Sequence, residues 1–289
     1  MSKPEEKKIS CAIKALPDRL LKKASQVAVK INSANAPVLM TMGSSASLMS
    51  PEFLTILTSK YWGASQRTLT VSFIPATTPS DLKARILSHM NAWQVGIQFL
   101  QTTGVGKVRI AFGNSGYWSY LGTDILLIPN HQPTMNLQGF TMNTTESEFR
   151  RVVRHETGHT LAFPHEHMRG ELVDRIDPQK AYDYFLKTQG WSKDVVDQQV
   201  LTPLVNESIM STPADETSIM CYQLPGSITQ DGLPIVAGND INATDYAFAR
   251  KMSPPLTKKQ CLVRQKPDIG EENDDVNDQE ISERIFDVE

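Results

Sequence analysis

Four of the six histidines in this 289-residue chain fall between residues 155 and 167, in the run HETGHTLAFPHEH. His155 and His159 are four residues apart, so on a helix their imidazoles project from one face, about 6 Å apart along the axis. His165 follows six residues after His159. Two imidazoles one helical turn apart and a third from a following loop can hold one zinc ion. They leave a fourth tetrahedral position open, as in catalytic rather than structural zinc sites.

Glu156 lies next to the first of these histidines, where its carboxylate can reach a water on the metal and accept a proton from it. For this composition, the full pattern arises by chance in roughly one chain per several thousand. Two histidines four apart are by themselves much weaker support, since they occur on ordinary solvated helices. The pattern predicts one Zn²⁺ per chain, held by His155, His159 and His165, with Glu156 as the general base.

The flanking sequence predicts the helix that must carry this pattern. Thr145 followed by Glu148 fits a capping box at its start. The helix must end soon after Leu161, because Pro164 cannot continue it and the chain can then return His165 to the metal. Side chains that would bury one face recur about once per turn, at Phe149, Val152, Val153 and Thr160.

The motif resembles that of the metzincins, zinc endopeptidases with an extended His-Glu-x-x-His-x-x-Gly-x-x-His signature, and within them it is most similar to the astacin branch. The match includes the residues after the third histidine, in HEHMR. Downstream, the run SIMCY at 218–222 resembles the Met-turn of the family. Together the two motifs are specific, and the resemblance covers residues 60 to 255 or so.

This resemblance implies an α+β fold, a metzincin-like zinc protease domain with a twisted sheet, two backing helices above the cleft and a mostly helical or irregular lower half. It implies that Met220 is a hydrophobic floor beneath the zinc and not a ligand. It also implies that Tyr222 is a catalytic, swing-away ligand that could stabilise the oxyanion. A buried core tyrosine is the alternative interpretation of Tyr222.

Glu166 and His167, which directly follow the third histidine, are two further residues of the motif. In astacins, the residue matching Glu166 helps to bind the mature N-terminus or an ordered water, and a salt bridge with Arg154 or Arg169 is the alternative here. His167 is expected beside the ligands and not among them, because four protein ligands would leave no room for water.

The chain departs from the astacin pattern at several points, which favours a divergent, microbial-type relative. Ala162 stands where the family has glycine, at a cost of about 1 kcal/mol if the backbone needs positive φ. Cys221 stands where astacins usually have histidine. Neither the Phe-x-Gly-Asp pro-segment motif nor the matrixin cysteine-switch motif occurs in residues 1 to 60, so the sequence leaves open whether this segment is inhibitory.

Composition divides the chain into an N-terminal extension, residues 1–58, a catalytic domain, 59–256, and an acidic tail, 257–289. From Asp268 onward there are ten acidic residues and one basic residue, which predicts a solvated, disordered tail. Three widely spaced cysteines do not suggest a disulfide framework. The sequence shows no Sec-type signal peptide, so a cytoplasmic location is the default, with signal-independent export as the alternative.

Periodicity predicts the elements around the motif. Strands are expected at 69–74 and 107–112, with further strand material at 117–128. An extended substrate is expected to lie along the edge strand formed by 117–128. A helix capped by Ser80 would bury Leu82, Ile86, Met90 and Trp93. Further helices are expected after Asp177-Pro178, near 192–200 and at 242–252, and a turn or two of amphipathic helix around Leu16, Leu20, Leu21 and Ala24.

The sequence therefore predicts a zinc-dependent endopeptidase. Its expected partner is a polypeptide substrate, with no nucleic acid and no membrane, and a monomer is expected. Two other classes remain open, a zinc-bound non-proteolytic binding protein and a small-amide hydrolase. The intact Glu156 argues against the former, since a structural zinc site needs no base.

Overall fold

The computed structural model describes residues 11–37, 58–204 and 213–254. The acidic tail and Cys261 lie outside these ranges. A six-stranded mixed sheet organises the described chain, in the order β1-β5-β6-β4-β2-β3. Its strands are β1 (Cys11–Ile13), β2 (Thr68–Ile74), β3 (Gln98–Gln101), β4 (Val108–Ala111), β5 (Tyr117–Ser119) and β6 (Met135–Leu137).

The strands β2, β3, β4 and β6 run parallel to one another, whereas β5 runs antiparallel to β6. Buried and more exposed side chains alternate along β2, where Leu69, Val71 and Phe73 point into the core. Since successive strand residues face opposite sides of a sheet, this pattern packs one face against helices. The N-terminal strand β1 pairs with β5 in parallel and forms one edge.

The helices lie between and after the strands: α1 (Asp18–Ile31), α2 (Ser80–Met90), α4 (Gly170–Val173), α5 (Pro178–Gln189), α6 (Lys193–Val196) and α7 (Ala243–Met252). The segment α3 is built from an α-turn (Glu146–Glu148), a π-helical turn (Phe149–Val153) and an α-helix (Arg154–Thr160). A second π-turn, Asp197–Leu201, follows α6. Short 3₁₀ helices cover Ser33–Asn35, Asn91–Trp93, Gly122–Leu127, Glu166–Met168 and Gly226–Ile228.

Two apolar cores flank the segment that carries the histidines. The larger core joins the sheet to α1, α2 and α3, and includes the predicted stripe of Leu82, Ile86, Met90 and Trp93. The smaller core holds α4, α5 and α6 together with Leu224, Ile228 and Ile235. The α+β class, with a sheet above and a helical and irregular half below, is confirmed. None of the described helices has the length and apolarity needed to cross a bilayer.

Several local predictions are confirmed. Asp177 caps α5 by accepting the Lys180 amide, and Gly190 ends that helix with φ of 73°. Asn242 begins α7 with a full capping box, in which the second partner is Asp245.

Other predictions were wrong in detail. Residues 117–128 form only one short strand, because the chain turns at Gly122 and continues as the 3₁₀ helix Gly122–Leu127. Gly122 has a φ of 49°, and a Cβ there would collide with the carbonyl oxygen of Lys60. Strands β3 and β6 were not predicted. Pro79, and not Ser80, is the cap residue of α2, and α1 is 14 residues long, well beyond the expected turn or two.

Candidate metal centre

The three predicted histidines meet in one buried cluster. Their ring centroids lie 4.6 to 5.4 Å apart, and all three side chains are inaccessible or nearly so. Nε2 of His159 lies 3.0 Å from Nε2 of His165. His155 and His159 come from one face of α3, whereas His165 comes from the chain that returns after this helix ends.

Backbone carbonyls fix the orientation of the first two imidazoles. Nδ1 of His155 lies 2.6 Å from the carbonyl oxygen of Ile219, and Nδ1 of His159 lies 2.7 Å from that of Phe163. A ring that donates from Nδ1 carries a lone pair on Nε2, which is the atom that faces the cluster. Nε2 of His155 has no hydrogen-bond partner among the described residues.

Burial keeps all three imidazoles neutral. It lowers the pKa of His155 to about 4, and it lowers the pKa of His159 and of His165 well below the usual value. The neutral imidazole is the form that binds a metal. The cluster is therefore a set of nitrogen donors ready for a cation.

The turn that delivers His165 depends on Ala162. After α3, the amide of Ala162 donates to the carbonyl of His159, and the amide of Phe163 donates to that of Gly158. These two bonds form a Schellman motif, whose C′ residue adopts left-handed backbone angles and is usually glycine. Ala162 has a φ of 77°. The chain thus keeps the turn of the predicted motif with a residue that pays roughly 1 kcal/mol for it.

Cys11 is a fourth potential ligand that the sequence did not indicate. Its Sγ lies 3.5 Å from Nε2 of His159, and the ligand atoms of Cys11 and the three histidines all lie within 4.8 Å of one another. The sequence predicts an open fourth position, whereas in the described form this thiol lies in it. Strand β1 carries Cys11 into the cleft along β5, with Cys11 opposite Tyr117.

The four residues fit a zinc ion. Zinc–nitrogen and zinc–sulfur bonds of roughly 2.0 and 2.3 Å at tetrahedral angles separate the ligand atoms by about 3.3 to 3.6 Å. The His159–His165 and Cys11–His159 separations of 3.0 and 3.5 Å are close to these values. Burial raises the pKa of the Cys11 thiol, but zinc reverses this effect, since a coordinating thiol is deprotonated outright.

Two buried polar groups lie beside this cluster, the carboxyl of Glu156 and the hydroxyl of Tyr222, whose ring is partly exposed. Both carboxylate oxygens of Glu156 and the hydroxyl of Tyr222 are inaccessible and have no hydrogen-bond partner among the described residues. Burial raises the pKa of Glu156 to about 8 and raises that of Tyr222 well above its usual value. Unpaired buried polar groups are costly, so their presence indicates a site built for a ligand.

A methionine turn closes the floor of the site. Met220 is buried and packs against α3 where a Cβ on Gly158 would collide with its sulfur. The turn is held by Asp245 of α7, whose carboxylate accepts hydrogen bonds from the Ser218 hydroxyl at 2.6 Å and the Ile219 amide at 3.0 Å. Because Ile219 also supplies the carbonyl facing His155, Asp245 positions a residue next to a metal ligand.

Known proteins resemble this chain in sequence and fold. No family model matches the chain. The solved structure of myroilysin matches with a TM-score of 0.63 and 28% sequence identity, over 68% of this chain and 97% of that one. Zinc metalloproteinase nas-27 of Caenorhabditis elegans is 30% identical over 95 residues. The chain is similar in sequence and fold to astacin-like zinc metallopeptidases.

The curated relative is much longer than the matched region, which is 32% of this chain but only 20% of nas-27. High choriolytic enzyme 1, a hatching enzyme zinc-protease from Oryzias latipes, matches with a TM-score of 0.44 and 18% identity, over 66% of this chain and 92% of that one. The comparisons give no support to the cytoplasmic default.

The remaining residues of the motif have structural partners. Glu166 accepts a hydrogen bond from the Asp215 amide at 3.1 Å. It also pairs with Arg169 at 3.7 Å, which is one of the two salt bridges considered for it above. Arg154 pairs instead with Asp240. His167 lies beside the ligands, with its ring 5.0 Å from that of His165, and its Nε2 lies 2.9 Å from the carbonyl oxygen of Gln199, a contact that was not predicted.

Sequence reasoning missed two residues of this site. Cys11 is 148 positions from the nearest histidine contact, and an isolated cysteine in a lysine-rich segment carries no spacing signal. Asp245 was missed because its carboxylate is also the ordinary partner of a helix cap. Only the folded chain reveals that it holds the methionine turn.

Proposed function

We propose that this chain is a zinc endopeptidase whose described form is latent, with Cys11 filling the fourth ligand position that a substrate requires. One observation carries this proposal: a thiol from the N-terminal strand lies among three histidines, beside an unpaired Glu156 and an unpaired Tyr222. Three histidines with a carboxylate suit catalysis, and the cysteine comes from the strand that lies in the substrate cleft.

His155, His159 and His165 would hold the metal through Nε2. When bound, zinc polarises a peptide carbonyl and lowers the pKa of water to roughly 7. Glu156 accepts the proton of the attacking water on a carboxylate oxygen and passes it to the leaving amine. Among the described residues neither oxygen makes a hydrogen bond of ordinary geometry, so once Cys11 leaves the site the carboxylate can make both transfers.

Tyr222 is proposed to stabilise the developing oxyanion. Its ring packs against two neighbouring imidazoles, with centroid distances of 4.3 Å to His165 and 4.4 Å to His167. Its raised pKa keeps the hydroxyl protonated, and a protonated phenol can donate to an oxyanion. Met220 supports α3 from below and takes no part in ligation.

The position of β1 supports a polypeptide as the substrate, rather than a small amide. Cys11–Ile13 lies extended along Tyr117–Ser119, which is part of the edge predicted for substrate. A peptide can pair with this edge once β1 leaves, because the backbone groups that now bind β1 become available. A small amide is too short to form hydrogen bonds along the whole of this strand edge.

A second function is favoured by one specific observation. Cysteine plus three histidines is a closed set of four protein ligands, which is the pattern of structural zinc. A non-proteolytic zinc protein would need Cys11 permanently, whereas a latent peptidase must be able to release it.

Replacing Cys11 by alanine separates these two functions. If the chain is a latent peptidase, Cys11→Ala should keep about one zinc per chain and cleave a peptide library at least tenfold faster than the native chain, and a chelator should abolish the cleavage. If the zinc is structural, the variant should lose zinc and stability and cleave nothing. Cys221→Ala, at the other described free cysteine, which packs in the smaller core, controls for the loss of a buried thiol and should retain zinc.

A further inference from the structure

The outer edge of β1 is paired by one side chain. The Ile13 amide donates to Oε1 of Gln199 at 3.0 Å, and Nε2 of Gln199 donates to the Ile13 carbonyl at 3.1 Å. In a strand, the N–H and C=O of one residue face the same side and those of its neighbours face the other. The Lys14 amide donates to the carbonyl oxygen of Ser119 at 2.9 Å, so this neighbour of Ile13 faces β5. Gln199 therefore pairs with the opposite edge of β1, in the place of a neighbouring strand.

Gln199 is firmly placed relative to the metal cluster. Its side chain is only 6% exposed, and it belongs to the π-turn Asp197–Leu201. Its own carbonyl lies 2.9 Å from Nε2 of His167, and the His167 ring stacks on Tyr222 at an interplanar angle of 16°. The amide of Gln199 is thus held in register with the residues proposed to act on the substrate.

We infer that Gln199 is a substrate-binding residue, which grips the backbone of one residue of a bound polypeptide from the side opposite β5. In the described form Ile13 occupies that place. The inference rests on the proposed function, since it requires β1 to leave and a peptide to enter. Gln199 would recognise an extended peptide backbone and would not discriminate among the side chains of the residue that it binds.

The side-chain amide suits either chain direction. A peptide running opposite to β1 presents its N–H and C=O in reversed order. A half-turn about the last side-chain torsion of glutamine exchanges its donor and acceptor, and this torsion is broad and soft. The same residue can therefore hold the chain's own parallel strand and an antiparallel substrate.

The first arm of the test measures the grip on β1 in the full-length, zinc-loaded chain. Alkylation of Cys11 is followed by peptide mass mapping in the native chain and in Gln199→Met, which keeps an unbranched side chain of similar length. Loss of two hydrogen bonds should speed the modification of Cys11 about tenfold or more. Gln230→Leu is the control, because Gln230 also donates to backbone carbonyls, those of Asp174 and Ile176, but is exposed and belongs to another segment.

The second arm measures substrate binding in the Cys11→Ala background. One cleavable peptide is made in versions that each carry a single backbone N-methyl group, and kcat/KM is compared with and without Gln199→Met. At one position, N-methylation should lower kcat/KM about tenfold or more with Gln199 present and less than threefold with methionine there. Positions that pair with β5 should respond equally in both proteins and serve as an internal control, so a general structural defect cannot imitate the result.

The outcomes are distinct. Hydrolysis with the same N-methyl profile in both proteins would overturn the substrate role of Gln199 while leaving the proposed function intact, whatever the alkylation rate. Zinc retention without hydrolysis in any Cys11→Ala protein would overturn the proposed function and the substrate role together, and the alkylation arm would then report only the grip on Ile13. Gln199→Leu repeats both arms if the methionine variant fails to retain zinc.

Discussion

Sγ of Cys11 lies 3.5 Å from Nε2 of His159, although 148 residues separate them in the chain. This contact places the N-terminal strand beside the histidine cluster and puts a thiol where a three-histidine zinc site would have an open position. Cys11 thereby adds a fourth potential metal ligand to the three histidines. Catalytic activity and its inhibition are therefore proposed to depend on the ligand atoms of the same four residues.

We expect His159→Ala to reduce zinc from about one ion per chain to a small fraction. His159 is central to the cluster, since its Nε2 lies within 3.5 Å of ligand atoms from both Cys11 and His165. Metal analysis after dialysis is the measurement. His131→Ala, at an exposed histidine elsewhere, should leave the zinc content unchanged. Unchanged zinc in the His159 variant would refute the ligand assignment.

Glu156→Gln should abolish peptide cleavage and leave zinc bound. The amide cannot accept the proton of the attacking water, and loss of a general base costs about 10²–10⁴ in rate. The fold should not suffer, because the native carboxylate is fully buried and makes no hydrogen bond among the described residues. Cleavage, zinc content and melting temperature are compared in the Cys11→Ala background. Near-normal turnover in this variant would remove Glu156 from the mechanism.

Tyr222→Phe tests the hydroxyl while keeping the ring and its stacking on His165 and His167. An oxyanion donor acts mainly in the transition state, so its loss should lower kcat more than it raises KM. One donor is typically worth about 10²–10³ in kcat, and water can partly replace it, so the lower end or less is expected. Wild-type kcat in a stably folded variant would assign Tyr222 to the core and leave the zinc site untouched.

Asp245→Ala should destabilise the methionine turn. Its carboxylate accepts from the Ser218 hydroxyl and from the amides of Ile219 and Asn242, so the truncation leaves buried donors unpaired. A loss of about 3 kcal/mol in the free energy of unfolding is expected, on the basis of about 1–3 kcal/mol per abandoned partner and partial relaxation. Denaturant titration provides the value. Asp183→Ala, at an exposed aspartate of α5, should cost about 0.5 kcal/mol or less, and an equal loss at both sites would contradict the assignment.

The pH dependence of stability should contain a contribution from Asp124. Its carboxyl lies 3.6 Å from Nζ of Lys60, and burial raises its pKa to about 6, an effect that Lys60 only partly offsets. The folded chain therefore binds this proton more tightly than the unfolded chain, whose aspartate has a pKa of about 4. The stabilisation is full below pH 4 and is lost as pH rises through about 6.

Denaturant unfolding of the native chain and of Asp124→Asn at a series of pH values isolates this effect, because contributions from the metal site are common to both proteins. The free energy of unfolding of the native chain, relative to the variant, should fall by about 1 kcal/mol between pH 5 and 7.5. A difference that stays constant over this range would mean that Asp124 titrates normally.

The sequence by itself determined those parts of the site that are set by neighbours along the chain. The four-residue spacing of His155 and His159 and the position of Glu156 follow from helical geometry alone. Pro164 required the helix to end, and it does end at Thr160. Caps such as Asp177 and Asn242 were readable because a cap bonds to amides two or three residues away.

Only the tertiary structure decided which distant groups complete the site. Cys11 contacts His159, Gln199 pairs with Ile13 of β1, and Asp245 reaches the methionine turn from α7, in contacts that no local period encodes. Part of the strand material expected over 117–128 forms the 3₁₀ helix Gly122–Leu127, because the chain turns at Gly122, where it packs closely against the Lys60 carbonyl. Local geometry fixes the ligand spacing, whereas long-range packing decides what occupies the position that those ligands leave open.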